Sequence, residues 1–187
     1  MRIVVGISGA TGAIYGIRLL EYLRKTDVES HLVISQWAAE TIKYETGLMP
    51  DDVYKLADYH YAADNMAAAI SSGSFHHDGM VILPCSMKTL ACISNGISDN
   101  LIARAADVTI KERRPLVLSV RETPLSPIHL ENMLKLSRIG VCIMPPVPNF
   151  YSLPHSLDDI VDSYVGRVLD HLKIQNNMYH AWNGENI

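Results

Sequence analysis

Five short apolar runs, "RIVVGI" (2–7), "HLVIS" (31–35), "MVILP" (80–84), "LVLSV" (116–120) and "GVCIM" (140–144), recur along the chain with room for a helix between them. Each is nearly continuous in apolar residues rather than alternating, the pattern of a strand buried on both faces. A parallel sheet covered by helices on both sides buries strands in this way. Helical patterns fill the intervals at 11–25, 36–46, 87–94, 100–113 and 126–138, and "DYHYA" (58–62) is a further strand candidate. The last helix is the clearest element. Leu157, Ile160, Val161, Tyr164, Val165, Val168, Leu169 and Leu172 keep the 3.6-residue period, Ser156 stands at the N-cap, and Asp158 and Asp159 suit the positive end of the helix dipole.

Composition narrows the function classes. With 187 residues, 48% hydrophobic and 19% charged, the chain has the make-up of a globular domain. No apolar run approaches the roughly 20 residues of a membrane span, and no basic-then-apolar export signal opens the sequence. A net charge of −4 argues against nucleic acid or an anionic membrane as the main partner. Cys85, Cys92 and Cys142 form no Cys-x-x-Cys pair, so neither a disulfide framework nor a zinc site is expected. A reducing, cytoplasmic setting follows. His76 and His77 read as loop histidines without further ligands at metal spacing, and Cys85 as a small packing residue. The stretch 47–79 is the least regular, and "PPVPNFYSLP" (145–154) cannot be helical.

Ligands of open parallel sheets bind beyond the carboxyl ends of the strands. "GISGATGAIYG" (6–16) lies at that end of the first strand. Gly9 and Gly12 can take positive φ and bring backbone N–H groups towards an anion, with the start of the helix near Thr11 aimed the same way. Gly16 would let that helix lie close on the sheet. A tight turn without a ligand uses glycine too, but the second turn, "LPCSMKTLACISNG" (83–96), repeats the arrangement with Ser86, Lys88 and Thr89. The spacing is not G-x-G-x-x-G, and Ser35 ends the second strand where a dinucleotide site wants an acid, so a mononucleotide such as FMN fits better. Arg104, Lys111, Arg113, Arg114 and Arg121 concentrate five of the sixteen basic residues in one stretch. Arg113 and Arg114 read as a solvated helix face. Arg121, directly after "LVLSV", stands at the functional edge with a geometry suited to phosphate.

"GISGATGAIYGIRLL", "CSMKTLACISNGISDNLIARAADVTIKERRPLVLSVRETPLSPIHLENMLKLSRIG" and "PPVPNFYSLPHSLDDIVDSYVGRVLDHL" together resemble the UbiX-type flavin prenyltransferases, closest to the branch accompanying hydroxyarylic and phenolic acid decarboxylases. The resemblance covers 1–46 and 79–182. It implies a single flavin-binding α/β domain over 1–187, a Rossmann-like three-layer sandwich with a six-stranded parallel sheet, and a homododecamer. It implies that reduced FMN and dimethylallyl phosphate combine without a metal, the prenyl unit becoming bonded to N5 and C6. The prenylated FMN then serves a UbiD-type decarboxylase.

By the same resemblance, Gly9, Ala10, Thr11, Ser35, Ser86, Met87, Lys88, Thr89 and Arg121 hold FMN, and Tyr151, Arg167, Arg104 and Lys111 hold the substrate phosphate, Lys111 and Arg104 across a subunit boundary. Glu122, Lys111, Thr11 and Glu45 are the expected catalytic residues, Glu122 for acid–base work or as the ion-pair partner of Arg121. The family more commonly has Ser at the position of Thr11. Trp182 is expected as an aromatic wall, or as a packing or subunit-contact residue, on a C-terminal part that closes over the substrate. Two other readings compete: a flavin-dependent cysteinyl decarboxylase, and a non-catalytic FMN-binding accessory subunit of a decarboxylase. The first leaves Tyr151 and Arg167 without a purpose, and the second needs none of Lys111, Glu122, Tyr151 and Arg167.

Overall fold

A computed structural model describes residues 1–182 and Gly184. Six strands, β1 (Arg2–Ile7), β2 (Glu29–Ile34), β3 (Tyr59–Tyr61), β4 (Gly79–Cys85), β5 (Leu116–Val120) and β6 (Cys142–Ile143), form one sheet in the order β3-β2-β1-β4-β5-β6. Every pairing is parallel. The helices are α1 (Ala13–Leu23), α2 (Gln36–Thr46), α3 (Pro50–Tyr54), α4 (Met87–Ser94), α5 (Leu101–Lys111), α6 (Pro127–Arg138) and α7 (Leu157–His171).

The continuous apolar runs are explained by two cores. On one face Ile3, Val5 and Ile7 of β1 pack with Ile17 and Leu20 of α1 and Val165 and Leu169 of α7. On the other, Val4 packs with Leu90 of α4, Ile102 and Ala106 of α5 and Leu136 of α6. β1 thus has apolar side chains on both faces, and burial of such surface on the inner strands is what holds the three layers together. Gly16 has the expected purpose: a Cβ there would stand 2.5 Å from the Leu83 carbonyl oxygen, so only glycine lets α1 lie this close to β4.

Several expectations need adjusting. β2 begins two residues early, because Glu29 pairs with Arg2 at the start of β1. The run 140–144 gives only a two-residue β6, an edge strand paired on one side alone. The irregular stretch 47–79 contains α3, started by Pro50 in its first turn with Asp51 and Asp52 at its positive end. Arg114 is no solvated helix residue. Its guanidinium donates to the carbonyls of Phe75 (2.8 Å) and Gly73 (2.9 Å), tying the 73–75 loop to the end of α5. His77 is no open loop histidine either. It is only 6% exposed, with Nδ1 at 3.1 Å from the Gly79 carbonyl and Nε2 at 3.4 Å from the Thr109 hydroxyl. Cys85 is the packing residue anticipated, its thiol pushed well up by burial.

Burial, assisted by Arg114, holds His77 below the ordinary histidine value of 6.5, outweighing the Gly79 carbonyl and Asp78; His31 adds to the lowering. The unfolded chain therefore takes up this proton first as pH falls. The stability that neutral His77 contributes is complete above 6.5 and is lost as pH drops through the lowered folded value. As pH falls from 6.5 through that lowered value, wild-type protein is expected to lose stability more steeply than His77→Gln in urea titrations at a series of pH values. Parallel profiles would show that His77 is not a source of acid sensitivity.

Candidate active site

β1 and β4 are neighbours in the sheet but are wound in opposite directions from it, which opens a crevice above their carboxyl ends. Three helices begin at this edge. α2 is capped by Ser35, whose Oγ accepts from the Ala38 amide at 3.2 Å. α4 is capped by Ser86, whose Oγ accepts from the Thr89 amide at 3.3 Å and donates to Thr89 Oγ1 at 3.1 Å. α1 begins at Gly12, with φ 97° and no side-chain cap of its own. Its cap comes from the last turn of α2: Glu45 Oε2 accepts from the amides of Gly12 and Ala13, both at 2.9 Å.

This corrects one expectation. The start of α1 does not present those two amides to a ligand, because the Glu45 carboxylate already takes them. Nor does Gly9 take the positive φ expected of it. A Cβ there would lie 2.5 Å from Cβ of Trp37, so glycine lets the turn pass close beside the start of α2, where Trp37 is 74% exposed. Trp37 was not anticipated as a neighbour of this turn. Its place directly after Ser35 and Gln36, at the start of α2, was the only signal.

The first turn carries Gly9, Ala10 and the exposed Thr11, and the Ala10 amide donates to the Ser8 carbonyl at 2.8 Å. Ser8 itself was passed over in the sequence, and it is buried between the two turns. Its Oγ donates to the Pro84 carbonyl (3.0 Å) and accepts from the Ser86 amide (2.8 Å). Met87 is half-buried against the α4 side of the core and Thr89 is buried. Lys88 is exposed and turns away to Asp99, 3.1 Å off, which raises its pKa. Arg121 joins this edge: its amide donates to the Cys85 carbonyl at 3.0 Å, and its side chain is exposed. Glu122 is no ion-pair partner of Arg121 here; its Oε1 accepts from the Thr123 amide at 3.0 Å.

Two expected cations are elsewhere. Lys111 ends α5, before β5, whereas Arg121 follows β5, so the strand separates them by roughly 17 Å. Lys111 pairs with Glu112 at 2.8 Å. Arg104 donates to the Ser71 carbonyl at 3.1 Å and pairs with Asp107 at 2.8 Å. Tyr151 stands in the loop after β6, its ring edge-on to Trp182 with centroids 5.7 Å apart. Arg167 is exposed on α7. Tyr151 and Trp182 thus meet in the segments after β6 and α7, while Arg167 stands on α7, the helix that packs with α1 over β1.

The donors at the crevice are backbone amides, hydroxyls and one guanidinium, a set that suits a phosphate and a flavin's polar ring edge. The flavoprotein family model matches residues 1–169. The chain is 54% identical to the flavin prenyltransferase UbiX of Escherichia coli K12 across 98% of both chains. It is 57% identical to the mitochondrial flavin prenyltransferase of Saccharomyces cerevisiae across 98% of this chain and 76% of that one.

The chain belongs to the UbiX-type flavin prenyltransferases.

A solved UbiX structure, AnUbiX (PadA1) in complex with FMN and dimethylallyl pyrophosphate, superposes with a TM-score of 0.96 at 55% identity, covering 98% of this chain and 97% of that one. A dodecameric FMN-dependent UbiX-like decarboxylase from Escherichia coli O157:H7 superposes at 0.97 with 53% identity, covering 98% and 100%. The peptidyl-cysteine decarboxylase EpiD, at 18% identity and a TM-score of 0.64, shares the fold alone. The UbiX-type chain therefore shares its fold with that enzyme, while its sequence sides with the prenyltransferases.

Glu45 is the most readily tested part of this edge. Glu45→Ala is expected to lower stability by about 1 kcal/mol, the usual cost of a lost helix cap, read as a shift in urea midpoint at unchanged slope. Glu45→Gln keeps an acceptor oxygen and should lose less. Equal midpoints for Glu45→Ala and wild type would mean that the contact does not support α1.

Proposed function

We propose that this chain transfers the dimethylallyl group of dimethylallyl phosphate to N5 and C6 of reduced FMN, with release of phosphate and no metal, and that a UbiD-type decarboxylase consumes the product. The observation that carries this reading is the convergence of the turns at 8–12 and 86–89 with Arg121 at one crevice, in a chain whose UbiX relatives include one solved with FMN and dimethylallyl pyrophosphate. Reduced FMN, when bound, supplies the electron-rich ring positions that accept the dimethylallyl group.

The residues divide the work by place. Gly9, Ala10 and Thr11 face the flavin from the first turn, and Ser86, Met87 and Thr89 from the second, where Lys88 contributes its backbone while its side chain pairs with Asp99. With the α1 amides taken by Glu45, the starts of α2 at Ser35 and of α4 at Ser86 are the helix ends left for an anion. Arg121 adds the cation at the same edge. Glu122, beside it, hands a proton to the departing phosphate or collects the one lost on ring closure. Glu45, with Oε2 engaged by two amides, has Oε1 to turn towards the same space, next to Thr11.

Tyr151 and Arg167 meet the charge that builds on the phosphate as the allylic C–O bond breaks, a place where donors favour the transition state over the ground state. Trp182 shields that phosphate from water. Lys111 lies too far from Arg121 along its own chain, and Arg104 is engaged by the Ser71 carbonyl and Asp107, so other copies supply them. The dodecameric UbiX-like relative supports such an assembly, and so do exposed apolar residues on α2 (Trp37, Tyr44) and α6 (Ile128, Leu130, Leu134). The whole of 1–187 acts as one flavin-binding domain in the assembly. No helix among the described residues is long and apolar enough to cross a membrane, in keeping with a cytoplasmic enzyme.

Anaerobic incubation with reduced FMN and dimethylallyl phosphate, followed by mass spectrometry of the extracted flavin, tests this reading. A flavin heavier by one dimethylallyl unit is expected, in EDTA-treated protein as well. Unmodified flavin throughout would leave the accessory-carrier reading. Tyr151→Phe and Arg167→Ala are expected to retain FMN yet slow prenylation by at least about tenfold each, and their double variant by less than the product of the two effects. Initial rates near wild type at saturating substrate would remove the pair from the site.

A further inference from the structure

Regular pairing of β1 with β4 runs from Ile3↔Gly79 to Gly6↔Ile82 and then stops. On its other side, β4 changes register against β5 between Ile82 and Cys85. The end of β4 is therefore released from the ladders just where it must deliver the second flavin turn. Pro84 has no amide hydrogen to offer there. Ser8 takes over at this point. Its amide donates to the Pro84 carbonyl at 3.1 Å, its hydroxyl donates to the same carbonyl at 3.0 Å, and that hydroxyl accepts from the Ser86 amide at 2.8 Å. Its carbonyl accepts from the Ala10 amide, closing the first turn. Every polar atom of Ser8 is used, and the residue is 1% exposed.

We infer that Ser8 is a positioning residue for the flavin, a clip that fixes the first turn (8–12) against the start of α4 so that both turns meet one FMN molecule. The proposal rests on the flavin reading of those two turns. A hydroxyl is needed because one atom must donate to Pro84 and accept from Ser86 at once. Alanine would leave the Ser86 amide without its partner and the two turns joined by the Ser8 amide alone. Threonine would add a methyl group where nothing is open to solvent. Ser86 also caps α4, so loss of the clip lets that helix start, and the donors around it, shift relative to Gly9, Ala10 and Thr11.

The test compares FMN affinity by fluorescence titration, visible circular dichroism of the bound flavin, and urea stability in wild type, Ser8→Ala, Ser8→Cys and Ser30→Ala. Ser30 is the control. It is equally buried and its hydroxyl also bridges two segments, donating to Asp58 Oδ2 (3.0 Å) and accepting from the Asp58 amide (3.1 Å), but at the amino end of β2. Ser8→Ala is expected to weaken FMN binding by about tenfold or more and to change the flavin's circular dichroism, with Ser8→Cys intermediate. Ser30→Ala is expected to lose comparable stability with wild-type flavin affinity and spectrum. If Ser8→Ala fails to fold, Ser8→Cys carries the same comparison. Affinities for the folded Ser8 variants within about twofold of wild type, or an equal loss in Ser30→Ala, would overturn the proposal. A wild-type protein that binds no FMN would instead overturn the flavin reading beneath it.

Discussion

β1 is hydrogen-bonded along both sides, to β2 over Arg2–Ile7 and to β4 over Ile3–Gly6, and the chain visits those neighbours on separate excursions. With a right-handed crossover each time, α1 must leave β1 over one face of the sheet while α4 and α5 follow β4 over the other. The strand ends then diverge, and no loop of the chain needs to fill the space above them. Two buried cores, one per face, make this arrangement stable, and both draw on alternate residues of the same few strands. The crevice is a consequence of the winding, and the glycines, serines and threonines of the two turns are what the chain places in it.

The strands were legible because burial on both faces leaves a plain mark: "LVLSV" became β5 without a residue's change, and α2 and α4 fell where their patterns put them. The mark fades where burial does. β6 pairs on one side only, and most of the apolar run around it serves packing of α6 and α7 rather than a ladder. α3 is too short to show a period, although "MPDDVY" carries the proline and acids of a helix start. The site was legible only as far as it is local. Gly9, Ser35 and Ser86 announce themselves beside a strand end, whereas Glu45 reaches α1 from ten residues past Ser35, and no spacing in the sequence encodes a contact between helices. Ser8 reads as one more small residue in a glycine turn until its hydroxyl is seen to span it.

The cation-rich stretch shows how linear clustering misleads. Arg104, Lys111, Arg114 and Arg121 are near neighbours in sequence, but α5 and then β5 carry the chain across the height of the sheet between them. Arg114 ends up holding the 73–75 loop, Arg104 holds Ser71, and only Arg121 reaches the crevice. A prenyltransferase that needs Lys111 beside Arg121 cannot be complete in one copy. The exposed rings of Trp37 and Tyr44 on α2 and the apolar side of α6 are consistent with surfaces that are covered when copies meet.

Co-expression of differently tagged Lys111→Ala and Arg121→Ala chains tests this most directly. Each variant alone leaves every site short of one cation, whereas a mixed assembly contains sites that take Arg121 from one chain and Lys111 from another. Purified mixed assemblies are expected to recover prenylation of reduced FMN that neither variant shows by itself. Mixed assemblies as inactive as the separate variants would contradict it and require both residues to act from the same chain.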